Sequence, residues 1–212
     1  MSSLERHTDY GSTALTESMV APNPMIEFAA WLAEAEAAQI FEPNAMVLST
    51  VGSDGTPNSR TVLLKALDDR GFEFVSNYHS AKGRALAEHP GVSLLFPWYS
   101  LTRQVIVRGT AEKTDAATSD DFFAARPHGS RLAAIASEQS QPVASREVLE
   151  KRMRRLEEQY PEGSPVPRPE HWGGYRVTPT RIEFWQGRTS RLHDRLVYTS
   201  GPEGWKLTRL QP

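Results

Sequence analysis

The sequence contains no cysteine, and its 212 residues carry a formal net charge of only −2. The lack of cysteine excludes disulfides, thiolate catalysis and cysteine-ligated metal sites. Because the net charge is close to zero, no global positive field attracts the chain to nucleic acid or anionic lipid, so any anion must be bound locally. Apolar runs fall far short of the roughly 20 residues that a membrane span needs, and the N-terminus lacks the basic-then-apolar order of a secretory signal. We therefore expect a cytoplasmic enzyme or binding protein.

Several catalytic motifs are absent as well. No Gly-x-Gly-x-x-Gly follows a predicted strand, and neither a Gly-x4-Gly-Lys-Ser/Thr phosphate loop nor a Gly-x-Ser-x-Gly elbow occurs. The six histidines are scattered, without the His-x-His or His-Glu-x-x-His spacing that indicates a metal site. Redox or group-transfer chemistry would therefore need a bound organic cofactor.

The polarity pattern predicts an arm followed by one domain. Residues 1–23 are polar and show no apolar period, so we expect a mobile arm. Residues 24–212 form the single domain. A first helix is predicted from Pro24, because Phe28 and Trp31 begin an apolar face at helical spacing.

From Ala45 onwards, short β-type runs are separated by turn signals and by a few helices. The predicted strands cover Ala45–Val51, Ser59–Leu67, Phe72–Ser76, Val92–Phe96, Gln104–Glu112, Tyr175–Thr178, Arg181–Trp185 and a final hairpin of Leu196–Thr199 with Trp205–Leu210. Helices are predicted after Ser80, before Arg126, after Ser130 and from Ser145 to Tyr160. This order favours a mainly β chain with helices (α+β), built as an antiparallel barrel rather than a doubly wound sheet.

Three basic clusters stand out against the low net charge. Arg60 and Lys65 lie on one predicted strand, where regular alternation puts them on opposite faces, so either the strand bends or each serves a different ligand. The segments Ser80–Arg84 and Arg126–Arg131 each open a helix, where free N–H groups and the helix dipole favour a phosphate. Solvated strand charges and ordinary helix starts are the alternatives for these clusters.

A fourth constellation lies near the C-terminus. In an extended segment Arg191, His193 and Arg195 project to one side, which is unfavourable without an anionic partner. Alternation points Asp194 away from them, a buried structural histidine is the alternative for His193, and Trp185 fits a core position as well as a cofactor stack. Two or more phosphate cradles together with this cationic group indicate a phosphorylated cofactor and a phosphorylated substrate.

The wording and order of these segments resemble the pyridoxine 5′-phosphate oxidase family. The matching stretches cover roughly residues 41–212 and read FEPNAMVLSTV, SRTVLLK, SLLFPW, RQVIVRG, RPHGSRL, EQSQ, HWGGYR, IEFWQGR and RLHDRL. The resemblance implies a homodimer of split β-barrels with two FMN sites at the subunit interface. The implied reaction is oxidation of pyridoxine 5′-phosphate, pyridoxamine 5′-phosphate or both by dioxygen to pyridoxal 5′-phosphate and hydrogen peroxide.

The resemblance also implies roles for individual residues. The FMN phosphate and ribityl chain would meet Arg60, Val75, Ser76 and Lys82, and the ring system would lie along Thr61, Val62, Leu63, Lys65 and Gln104. The partner subunit would contribute Gln139, Ser140, Trp185 and Arg195. The substrate phosphate would bind Lys65, Arg126 and Ser130, while the catalytic residues Arg191 and His193 would cover the pyridine ring.

Three departures from the family pattern put vitamer preference and turnover in question. Phe122 occupies a substrate-binding position where many relatives have tyrosine, and Ala81 occupies a cofactor-binding position where many have arginine. The arm lacks the family's Arg-Arg-Glu-Tyr-like segment, for which Asp9 and Tyr10 are the nearest match. The alternatives are a flavin oxidase of the same fold that acts on another substrate, as in phenazine biosynthesis, a non-catalytic flavin- or pyridoxal-phosphate-binding protein, and a nucleic-acid-binding barrel.

Overall fold

The computed structural model describes residues 4–5 and 8–212, so part of the expected arm lies outside the described residues. Five α-helices and eight β-strands follow in chain order. The helices are α1 (Pro24–Ala37), α2 (Ala81–Glu88), α3 (Ala116–Ala124), α4 (His128–Ala136) and α5 (Arg146–Gln159). The strands are β1 (Ala45–Val51), β2 (Pro57–Asp68), β3 (Gly71–Asn77), β4 (Gly91–Trp98), β5 (Arg103–Lys113), β6 (Trp172–Gln186), β7 (Asp194–Gly201) and β8 (Gly204–Leu210).

All eight strands belong to one antiparallel sheet, in the order β3-β2-β1-β4-β5-β6-β7-β8. An additional pairing of β3 with β6 closes the first six strands into a barrel, and the hairpin β7–β8 extends the sheet from β6. Closure pairs the edge of β3 that an open sheet would leave exposed, and β8 remains as an edge strand. The predicted antiparallel barrel with inserted helices is thereby confirmed.

Aromatic side chains from α1 and the strands fill the barrel. Asn23 caps α1 by accepting a hydrogen bond from Met25, and Pro24 supplies the first helical residue. Phe28 is fully buried, with its ring centroid 4.9 Å from that of Phe72 and 4.7 Å from that of Phe96. Edge-to-face contacts of this kind stabilise a core beyond the area they bury.

Helices α3 to α5 enclose a second apolar cluster beside the barrel. Phe123, Leu132, Val166 and Trp172 are its buried members. None of the α5 residues is buried, and Arg146 pairs with Glu150 one turn later, so the charged face of this helix is solvated and ion-paired. No helix in the described part of the chain has the length and apolar character that crossing a membrane requires.

Two predicted boundaries were wrong. Helix α4 begins at His128 rather than after Ser130, because Pro127 serves as the residue before the first turn and its ring fixes φ near the required value. The two strands predicted around Thr178 and Arg181 are one continuous strand, β6. Pro179 does not interrupt β6, because it lies where the pairing with β5 shifts register, between Arg108 and Gly109.

Candidate active site

A cavity of about 790 Å³ opens where strands β2 and β3 meet α2 and α4. Its volume lies in the range of cofactor and substrate sites. Most of the predicted FMN residues line it, together with residues that the sequence did not single out. The lining comprises Asn58, Arg60, Thr61, Val62, Leu63, Lys65, Val75, Ser76, Asn77, Ala81, Lys82, Arg126, Ala133, Ala134, Ser137, Gln139, Ser140 and Trp172.

A bulge in β2 explains how Arg60 and Lys65 reach the same cavity. Leu64 pairs with Phe74 and Ala66 pairs with Glu73, so Lys65 is an extra residue without a partner in β3. An extra residue inverts the alternation beyond it, which brings side chains five positions apart to one face. The bend in this strand, one of the two alternatives left open by the sequence, is therefore observed. Arg60 is held by hydrogen bonds from Nη1 to the Leu48 carbonyl and to the Thr50 hydroxyl.

The first turn of α2 supplies a second set of groups. Ser80 caps the helix, its hydroxyl accepting the Gly83 N–H, while Lys82 and Ala81 line the cavity. Burial, with a smaller contribution from the charge of Arg60, lowers the pKa of the Lys82 amine to about 8. An ammonium group that is costly to bury gains most from an anionic ligand.

Gln139 and Ser140 lie against this helix start within the same chain. Lys82 Nζ donates to Gln139 Oε1 at 2.8 Å, and the Ala81 N–H donates to the Ser140 hydroxyl at 3.2 Å. The resemblance assigned both residues to the partner subunit, but one protomer already brings them into its own cavity. The reason is the loop after α4, which returns to the barrel beside α2.

Arg126 is the fourth basic residue in the cavity. Its guanidinium carbon lies 4.9 Å from the centre of the Trp172 ring, and Nη2 donates to the Ser130 carbonyl at 3.0 Å. Its Nε is buried without a hydrogen-bond partner among the described residues, and burial lowers the pKa of the side chain. An arginine with a spare buried donor is well suited to an added anion.

The predicted substrate contacts Phe122 and Ser130 do not line this cavity. Phe122 packs against the second apolar cluster, and Ser130 lies in the first turn of α4 beside Arg126. Their contact with a substrate phosphate stays a prediction.

The polar character of the cavity fits a phosphate ester. Four basic side chains line it, and no carboxylate does so in the part of the chain that the structure describes. The Ser76 hydroxyl, a lining group that is buried, has no hydrogen-bond partner among the described residues. A buried donor without a partner costs free energy, which an anionic oxygen would recover.

The remaining predicted residues form a separate group on β5, β6 and β7. Gln104 pairs with Trp185, and Trp185 pairs with Arg195, so the three lie in one row across the sheet. Arg195 donates to the buried Glu183 at 2.7 Å, and Arg181 lies 3.1 Å from the same carboxylate. The anionic partner that the arginine required is therefore Glu183, two residues before Trp185 on the same face of β6.

The sequence predicted an extended segment between β6 and β7, but this loop is not extended. Thr189–Arg191 form a 3-10 turn in which Ser190 and Arg191 have φ values of 54° and 60°. The turn puts Arg191 out of the row in which Arg195 lies. His193 stays close to that row, since its ring centroid is 4.7 Å from that of Trp185.

The described part of the arm packs over this second group. The Tyr10 ring lies 5.9 Å from Trp185 and 5.6 Å from His193, measured between centroids. The Gly11 carbonyl accepts a hydrogen bond from the Thr189 N–H. The second group and the arm thus form one structural unit.

Sequence reasoning missed Trp172, Glu183 and Arg188. Glu183 interrupts the otherwise apolar stretch Ile182–Trp185, and a carboxylate within such a strand requires a buried cation, so this signal was present. Trp172 and Arg188 gave no local signal. Trp172 matters because Arg126 lies over its ring, and Arg188 matters because it contacts His193 and Asp194.

Comparison with known proteins gives two family matches that together cover most of the chain. Residues 32–160 match a family profile described as pyridoxamine 5′-phosphate oxidase, and residues 172–212 match one described as the pyridoxine 5′-phosphate oxidase C-terminal dimerisation region. Among curated proteins, the pyridoxine/pyridoxamine 5′-phosphate oxidase of Burkholderia multivorans is 54% identical over 207 residues, covering 96% of both chains. The enzyme of the same name from Rubrobacter xylanophilus is 53% identical over 204 residues, covering 96% of this chain and 94% of its own.

Solved structures agree with the fold. PhzG from Burkholderia lata, solved with tetrahydrophenazine-1-carboxylic acid, superposes with a TM-score of 0.89 at 33% identity and covers 95% of this chain and all of that one. A pyridoxamine 5′-phosphate oxidase-related, FMN-binding protein from Nostoc punctiforme superposes with a TM-score of 0.69 at 15% identity, covering 92% of this chain and 99% of its own. The second likeness concerns the fold alone.

Proposed function

The chain belongs to the pyridoxamine 5′-phosphate oxidase family, and on that basis we propose that it binds FMN and oxidises pyridoxine 5′-phosphate or pyridoxamine 5′-phosphate with dioxygen. The products are pyridoxal 5′-phosphate and hydrogen peroxide; with pyridoxamine 5′-phosphate a water molecule is also consumed, and the amine nitrogen leaves as ammonia. Relatives with this activity in their name share more than half of the sequence over nearly their whole length. The structural observation that carries the proposal is the cavity lined by Arg60, Lys65, Lys82 and Arg126. Four cations without a lining carboxylate suit the phosphates of a cofactor and a substrate.

Arg60, Lys82 and Ser76 would hold the FMN phosphate at the first turn of α2. The positive end of the α2 dipole, a half-buried ammonium and an unpartnered hydroxyl lie at this cavity. Lys65 and Arg126 remain for the phosphate of the substrate. Bound FMN supplies the two-electron acceptor that the protein's own side chains lack, and dioxygen regenerates it.

Residues of the second group would act on the pyridine ring. Arg191 would act through its positive charge and through hydrogen bonding. His193 contributes a neutral imidazole, since burial and the charge of Arg191 lower its pKa. Holding the substrate carbon in line with the acceptor is the main contribution that we expect from both residues.

The complete site would form between two protomers. Five predicted site residues do not line the cavity of their own chain: Gln104, Trp185, Arg191, His193 and Arg195. They lie in or beside residues 172–212, the part that matches a dimerisation region, with Gln104 paired to that part through Trp185. We expect a twofold dimer to bring this group from one protomer to the cavity of its partner.

The activity is tested with purified, FMN-loaded protein in air. Pyridoxine 5′-phosphate and pyridoxamine 5′-phosphate are supplied separately, and pyridoxal 5′-phosphate and hydrogen peroxide are quantified. We expect the two products in equal amounts from at least one substrate. A flavin-loaded protein that forms neither product would contradict the proposal. Such a result would direct the search to non-phosphorylated aromatic acids, as the likeness to PhzG suggests.

A further inference from the structure

The ring of His193 is fixed through one nitrogen. The backbone N–H of Arg188 donates to His193 Nδ1 at 3.1 Å. A nitrogen that accepts a hydrogen bond carries no proton, so the neutral ring has its proton on Nε2. Trp185 and Tyr10 contact the faces and edges of the ring and limit its rotation. His193 therefore presents an N–H donor, rather than a proton acceptor, on the side away from Arg188.

The donor itself lies in the loop after β6, where no strand pairing holds it. Arg188 is instead anchored by its side chain, whose Nη1 lies 3.0 Å from Asp194 Oδ2. Asp194 is the first residue of β7 and pairs with Gln186, the last residue of β6. The Asp194 carboxylate thus lies at the base of the loop and holds Arg188, near the other end of the loop, in place.

Asp194 also holds two elements besides the loop. Its Oδ2 accepts the backbone N–H of Leu15 in the arm at 3.0 Å, and its Oδ1 accepts from Arg209 of β8 at 2.6 Å. Arg209 in turn binds Glu17, so the arm is fastened at a second point. The Asp194 side chain is 14% exposed, and its hydrogen bonds to Leu15, Arg188 and Arg209 hold its pKa below the ordinary value despite burial. A largely buried carboxylate with three donors is costly to replace.

We propose that Asp194 is a positioning residue for the reaction. Through Arg188 it fixes His193 as the Nε2–H tautomer, and through Leu15 it holds the arm over the imidazole ring of His193. This inference rests on the proposed function, because it assigns a role around a proposed catalytic residue. It goes further by stating which ring nitrogen of His193 is protonated and which carboxylate maintains this tautomer. Disorder in the loop would let the ring adopt either tautomer, and misplacement of a reacting group by about 1 Å costs up to about a hundredfold in rate.

The test compares Asp194→Asn with Asp68→Asn in the FMN-loaded dimer. Asp68 is a matched control, because it also binds two arginines, Arg70 and Arg176, at the β2–β3 turn. Long-range proton–nitrogen NMR spectra of protein labelled in the histidine ring report which nitrogen is protonated, and His193→Gln identifies the signal. We expect Nε2–H alone in the wild type and in Asp68→Asn, and a mixture of tautomers in Asp194→Asn. We also expect kcat of Asp194→Asn to fall between about tenfold and a hundredfold, with KM and flavin content nearly unchanged.

Three results would overturn the inference: a wild-type ring protonated on Nδ1, an Asp194→Asn protein with the wild-type tautomer, or a tautomer mixture with wild-type kcat. If Asp194→Asn does not fold, Arg188→Gln breaks the same link and gives the same readouts. The tautomer is measured without substrate. A wild-type protein that has the expected tautomer but does not oxidise either vitamer would therefore count against the proposed function and not against the fixed imidazole.

Discussion

Lys82 lies where a helix start, a neighbouring arginine and burial all act on one ammonium group. Burial and the charge of Arg60 lower the pKa of this group to about 8. The group is charged below that pH and becomes neutral above it. A dianionic phosphate binds the charged form, so binding must lose strength as the pH rises through 8.

We predict that the affinity of the apoprotein for FMN is highest near pH 7 and falls by about tenfold by pH 9. Fluorescence quenching of the flavin across this range measures the change in Kd. Lys82→Arg keeps the charge throughout and should abolish the fall, because the guanidinium does not titrate there. A wild-type Kd that is constant from pH 7 to pH 9 would show that Lys82 is not a phosphate ligand.

At the scale of elements, helix α2 is set into place by a close approach of its backbone to the end of β3. A Cβ atom at Gly83 would lie 2.8 Å from the Asn77 carbonyl oxygen and closer still to that of Tyr78. Only glycine permits this distance, which lets the first turn of α2 face the cavity. Gly129, in the first turn of α4, has open space around it and offers a contrast.

Gly83→Ala should therefore lower the free energy of unfolding by about 1–3 kcal/mol, because the backbone must move to accept the methyl group. Flavin affinity should fall with it, since the displaced turn carries Ala81 and Lys82. Thermal unfolding and FMN titration provide the measurements. Gly129→Ala should instead raise stability slightly, by about 0.5–1 kcal/mol, as expected for alanine in a helix. Equal behaviour of the two variants would mean that the approach at Gly83 is not a constraint.

For the whole molecule, the arrangement of the two residue groups is what calls for a dimer. The cavity carries the cationic phosphate site, and the second group carries Arg191 and His193 in the loop between β6 and β7. Each protomer would thus hold half of each of two sites. Such shared sites allow complementation between differently damaged chains.

We predict that Lys65→Glu and Arg191→Ala, each nearly inactive alone, regain activity when unfolded and refolded together. Random pairing gives about half heterodimers, each with one intact site of two, so about a quarter of wild-type activity should return. Lys65→Glu refolded with Lys65→Glu is the control, and turnover is the readout. Absence of recovery from a mixture that contains heterodimers would place the complete site within one chain.

The sequence by itself determined the β-rich order of the chain, the capped start of α2, the closing hairpin and the identity of the basic clusters. These features depend on residues close together in the chain: alternation, turn signals, Ser80 before Lys82, and the resemblance in the segments around Arg60 and Arg191. Local patterns are sufficient to predict these features because neighbouring residues in the sequence determine each of them.

Only the tertiary structure decided how these pieces meet. The bulge at Lys65 depends on pairing with β3, and the partners of Arg195 and Asp194 come from neighbouring strands and from the arm. The same holds for Gln139 and Ser140, which the fold places beside Lys82 of their own chain. Register shifts and buried ion pairs depend on which strands and loops pack against one another. No single segment of the sequence contains that information.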